Sequence, residues 1–164
     1  MDTLTIFLSQ LALSLMVWAF VARYLVAKPL DQLSTTLALS LLLVPHMLRH
    51  LGLSFLVPGV VEPTMPGFFA NTAGFGDLAA AILATVAFLS LQWHWRYALV
   101  VVGLVNIVGI ADLANALRQA EAVPQFGAAW YIPTFYVPIL LVTHVLMLRI
   151  LDRKVIGSVP VFDV

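Results

Sequence analysis

The chain has no cysteine, which removes disulfides, thiolate nucleophiles and cysteine-held iron–sulfur clusters from consideration. Charge is almost as scarce. Asp, Glu, Lys and Arg make up 10% of the 164 residues, where a soluble domain carries about 25%. That supply cannot cover a water-facing surface. The eight basic residues balance the eight acidic ones, and no block of like charge occurs, which argues against a nucleic-acid partner. The opening run is not expected to be a cleaved leader. Met1-Asp2-Thr3 places an acid where a leader needs bases, and the apolar run that follows continues for about twenty residues.

What the chain has in abundance is apolar length: 62% of its residues are hydrophobic. The pattern predicts an all-α integral membrane bundle of five transmembrane helices in one domain. The spans fall at about 4–26, 32–57, 75–91, 97–117 and 130–151, each of a length that crosses a core of about 30 Å. The third is expected to be the shortest. Arg23, Lys28, Arg96, Arg149, Arg153 and Lys154 collect on one side, against Arg118 alone on the other. That bias predicts insertion in the plasma (inner) membrane with the N-terminus outside and the C-terminus cytoplasmic. Trp93, Trp95 and Tyr97 read as an aromatic belt at the inner interface, Trp130 and Tyr131 as one at the outer. The outer connection 58–74 carries three prolines and three glycines yet stays apolar, so it is expected to be a non-helical lid over the bundle.

The chemistry concentrates around Leu43-Val44-Pro45-His46-Met47-Leu48-Arg49-His50. Ionisable groups in hydrocarbon cost several kcal/mol unless paired or hydrated, so they mark a bundle interior or a cavity. At α-helical spacing His46, Arg49 and His50 share one stripe, as do Asp112, Asn115 and Gln119. Gly103, Asn106 and Gly109 form a face suited to close helix contact, with Asn106 bonding across. A rise of about 1.5 Å per residue puts His46 about 21 Å, His50 about 27 Å, Asp112 about 22 Å and Asn115 about 27 Å from the inner face. Asp77, Tyr131 and Thr134 open their spans at the same level, and Glu62 joins them if the loop folds inward. His144, at about 10 Å, is set apart, which weakens a bis-histidine haem.

Four readings follow. A buried polar network could fix helix packing. His46 and His50 with a carboxylate could ligate a metal, although Arg49 between them opposes it, and no metal is assigned. A pocket could bind a hydrophobic small molecule with one polar group. There His46, Arg49, Asn115, Tyr131, Thr134 and Glu62 bind it, and Asp112, Asp77 and His50 are candidates for acid–base catalysis. Finally, the chain could be an accessory or assembly subunit of a larger membrane complex, or a homo-oligomer. The pocket is the favoured reading, with membrane lipid around it and the cofactor unknown. The motifs His46-x-x-x-His50, Gly76-Asp77-Leu78 and Ala111-Asp112-Leu113-Ala114-Asn115 do not map onto the sterol-isomerase and sigma-2-receptor family. That family's small bundles with buried acids are an analogy of architecture, which does not carry function.

Overall fold

The computed structural model describes residues 1–156. Among them there is no strand, only an isolated bridge between Pro58 and Val61. Five helical segments, Thr3–Asp31, Thr35–Leu56, Gly67–Gln92, Ala98–Leu117 and Gly127–Lys154, are long and apolar enough to cross a membrane.

The first segment starts at α1 (Thr3–Val21), capped by Asp2, whose carboxylate accepts from the Thr5 amide at 2.7 Å. That bond holds the Asp2 carboxyl below its usual range. A wider π turn, Ala22–Val26, leads into α2 (Ala27–Asp31). Ser34 caps α3 (Thr35–Met47), its hydroxyl accepting from the Leu37 amide at 3.2 Å. Past Pro45 the helix tightens into a 3-10 helix over Leu48–Leu56. α4 (Gly67–Gln92) and α5 (Ala98–Leu117) follow, then short 3-10 turns at Ala120–Gln125 and Gly127–Trp130. The last segment passes a π turn at Ile132–Tyr136 into α6 (Val137–Ile156). Pro133 and Pro138 withhold two backbone donors around that turn, which favours the wider pattern.

Two elements differ from the sequence expectation. The third segment is not the shortest but a 26-residue helix. It absorbs half of the expected 58–74 loop, because Pro66 is the last proline of that stretch and occupies the cap position, leaving 67–74 free to be helical. The remaining connection, 57–66, is tied to residues 125–128 of the other connection at that end. The Glu62 amide donates to the Gln125 carbonyl at 3.0 Å, and the Ala128 amide to the Val60 carbonyl at 2.7 Å. Gly127 makes this contact feasible: its φ is +50° and a Cβ there would lie 2.5 Å from the Val60 carbonyl oxygen.

α4 is the central element. Ala70, Ala73, Ala80, Ala81, Ala84 and Ala87 are buried along it, and such small side chains let neighbouring backbones approach closely. One core, towards the end that carries the 32–34 and 93–97 turns (the basic end), contains Leu39, Leu43, Val102, Val105 and Met147. The other, at the loop end, is aromatic: Phe55, Phe69 and Phe126 meet with centroids 5.2–5.5 Å apart, and Phe7 from α1 packs edge-on against Phe126 at 5.9 Å. Trp130 is not a free interfacial ring. It packs on Phe7 and donates to Gln10 at 2.6 Å, tying α1 to the last segment. Between the two cores lies a layer of buried polar side chains.

Candidate functional site

Arg49 organises that layer. It sits on the 3-10 helix with its side chain fully enclosed. Its Nε donates to Asp77 Oδ1 of α4 at 2.7 Å, its Nη2 reaches the same oxygen at 2.7 Å and Asp112 Oδ2 of α5 at 2.5 Å, and its Nη1 points at the Gly109 carbonyl at 3.4 Å. One guanidinium thus joins three helices. Counted formally, the trio carries one positive and two negative charges. Asp77 Oδ2 and Asp112 Oδ1 take no hydrogen bond from the chain among the described residues.

Three glycines make room for this group. A Cβ on Gly52 would overlap the Asp77 carboxylate, and one on Gly76 would overlap Asp112 Oδ1. One on Gly109 would lie 2.6 Å from His144 Cε1 and 3.0 Å from Arg49 Nη1. Each helix therefore offers a glycine to the polar side chain of the next. Gly109 fits the close-contact face expected of it, but Gly103 does not, since a Cβ there would meet nothing within 4 Å.

Next to the trio, His46 and His144 lie with ring centroids 4.2 Å apart. This corrects the expected separation of His144. The expected span ends at 32 and 151 differ from the observed helix ends. From Thr35 and Ile156, where α3 and α6 begin and end, the two stand at about 17 and 18 Å. Their other partners set the tautomers. The Thr143 hydroxyl spends its proton on the Ile139 and Leu140 carbonyls, so at 2.9 Å from His46 Nε2 it accepts. The Asn106 amide nitrogen donates to Val102, so its oxygen, 3.0 Å from His144 Nδ1, accepts across the helices. His46 Nδ1 and His144 Nε2 are left buried without a partner.

The other candidates lie apart from the trio. His50 is exposed and its Nδ1 contacts its own Met47 carbonyl at 3.2 Å. The cause is the 3-10 winding. At about 120° per residue it keeps Arg49 near the face of His46 and turns His50 away, so the expected stripe breaks. Asn115 and Glu62 are exposed, and Tyr131 is 73% exposed. Thr134 is buried, but its hydroxyl bonds the Trp130 carbonyl of its own segment at 2.8 Å. Tyr136 was not anticipated, although it lies between two prolines in a span; its hydroxyl donates to the Pro45 carbonyl. Among the described residues no three His, Cys, Asp or Glu side chains are grouped to hold a metal.

Above the trio, towards the loop end, is a cavity of about 50 Å³. Phe7, Phe55, Phe69 and Phe126 wall it, and Asp77 and Asp112 lie at its border. A water needs roughly 10–15 Å³ of such space, so the cavity has room for a few waters or one compact polar group.

Residues 6–152 match the model of a family described as Domain of unknown function (DUF8737), a stretch that takes in the cavity and every member of the polar layer. No curated protein and no solved structure matches the chain.

Proposed function

This chain belongs to the DUF8737 family, and we propose that it is an integral membrane protein that binds a hydrophobic small molecule through one polar end. The membrane reading is supported by the five apolar segments and by the side chains they expose, among them Leu13, Val17, Phe20, Ile82, Val100, Ile107 and Val145. Exposing such a girdle to water would be unfavourable at about 25 cal/mol per Å². The excess of Arg and Lys at the basic end supports an N-out, C-in orientation in the plasma membrane.

The observation that carries the binding reading is the pair of carboxylates at the floor of an aromatic-walled cavity. It also bears on the polarity of the ligand. Arg49 is committed to Asp77, Asp112 and Gly109, so it has little to offer an anion or a carbonyl. What borders the cavity is a pair of carboxylates that share one guanidinium. The polar end that fits is a cation or a strong hydrogen-bond donor, such as an amine on an apolar body. A cavity of about 50 Å³ takes the polar end alone, and the apolar body lies outside it. The two carboxylates could also exchange a proton with such a group, which is where acid–base chemistry would reside.

The test is a matched series in lipid nanodiscs: dodecylamine, dodecanol and dodecanoate. The amine is expected to raise the unfolding temperature and to do so less in Asp112→Asn. Preferential binding of dodecanoate would overturn the assigned polarity. Absence of binding by all three would overturn the pocket.

A further inference from the structure

A second site lies nearer the basic end of the bundle. Between the first segment and α5–α6 runs a groove of about 610 Å³, lined by Leu15, Ala19, Ala27, Ile110, Leu141 and Val145. Along α1 and its continuation it extends from Leu15 to Ala27, about 18 Å. One leaflet of a core of about 30 Å is about 15 Å deep, so the groove has the length of one acyl chain. Two arginines, Arg23 and Arg149, border it towards the basic end.

The charge there is unbalanced. Arg149 and Arg153 share a single carboxylate, Asp31, at 2.8 and 2.7 Å. Arg23 is exposed and meets no carboxylate within 4 Å among the described residues; its guanidinium lies 5.9 Å from the Tyr24 ring. Lys28 adds a further positive charge one turn on. An apolar slot that ends in surplus guanidinium is complementary to a chain that ends in an anion. Guanidinium also matches the geometry of a phosphate through paired N–H donors.

We infer that this groove is a binding site for one anionic phospholipid of the leaflet at the basic end. One acyl chain lies along α1 and the phosphate sits between Arg23 and Arg149. The inference rests on the five segments spanning a membrane, and it is independent of the carboxylate cavity.

The experiment uses the full chain, purified in detergent and exposed to vesicles of phosphatidylglycerol or of phosphatidylcholine with identical acyl chains. Retained lipid is counted by native mass spectrometry. Phosphatidylglycerol is expected to be retained in preference, and Arg23→Gln to lower its occupancy about fivefold, the usual worth of one basic residue at an anionic surface. Ala19→Trp changes an exposed position and should plug the slot, removing the bound lipid while leaving Arg23 in place. Equal retention of the two lipids would overturn the proposal. So would full phosphatidylglycerol occupancy in Ala19→Trp, which would mean attraction at the surface without a groove. A lipid-free dimer cross-linked through Ala19→Cys would assign the groove to a second copy instead. Carbonate extraction of the parent protein separates the two levels. Release from membranes would defeat the membrane reading itself, whereas retention without lipid preference would defeat only the groove.

Discussion

Gly76 lies directly behind the Asp112 carboxylate, so close that a Cβ on it would overlap Oδ1. Gly52 stands in the same relation to Asp77, and Gly109 to His144. The polar layer thus depends on three absent side chains as much as on the charged ones. Gly52→Ala and Gly76→Ala are each expected to destabilise the protein by about 1–3 kcal/mol, the usual cost of overpacking a tight interior. Gly103→Ala, which meets open space, should be neutral or slightly stabilising, since a mid-helix glycine costs about 0.5–1 kcal/mol relative to alanine. Reversible unfolding in mixed micelles would show the ranking. Equal effects at Gly76 and Gly103 would mean that the carboxylate is not packed against the glycine.

The surplus negative charge in the trio gives a second expectation. Arg49→Met leaves two partly buried carboxylates without their cation, and breaking a buried pair costs about 3–5 kcal/mol. Adding Asp77→Asn and Asp112→Asn to that variant removes the stranded charges. The triple variant is expected to recover most of the loss, because replacing all members of a buried ionic group is often close to neutral. The same unfolding measurement decides it: a triple variant as unstable as Arg49→Met would mean that packing of the arginine stem, not charge, dominates.

How much of this was legible in the sequence varies by residue. The five apolar segments were, because composition and length act on every residue of a span. The meeting of Arg49, Asp77 and Asp112 was foreshadowed by their common level and by their being costly to bury alone. The glycines carried a signal that spacing could have revealed: Gly52 follows Arg49 by three, Gly109 precedes Asp112 by three, and Gly76 adjoins Asp77. His50 and His144 were misplaced for different reasons. The first depends on a local change of helical winding after Pro45, which an assumed 3.6-residue period does not contain. The second depends on span ends, where a shift of three to five residues moves a side chain by about 5–8 Å.

The histidine pair offers a spectroscopic check. Their partners place the ring proton on Nε2 in His46 and on Nδ1 in His144, so the two rings should be opposite tautomers. Histidine-labelled protein in nanodiscs would show two distinct ring-nitrogen patterns, and Thr143→Val should perturb only that of His46. Identical tautomers in both rings would contradict the assigned hydrogen bonds.

Orientation can be settled from outside the cell, and the fold chooses the reporters. Glu62 lies exposed on the connection at the loop end, and Gln32 lies exposed on the turn at the basic end. The native chain has no cysteine, so a single introduced thiol is the only one present. Among the described residues neither side chain takes part in a hydrogen bond or ion pair, so Glu62→Cys and Gln32→Cys should both fold. With the basic end cytoplasmic, a membrane-impermeant maleimide is expected to label Glu62→Cys in intact cells and Gln32→Cys only after permeabilisation. The reverse pattern would invert the topology and place the carboxylate cavity, which opens nearer the loop end, towards the cytoplasm. Labelling of both in intact cells would mean that the five segments do not form a sealed membrane bundle, and the ligand-binding reading would then lose its apolar surroundings.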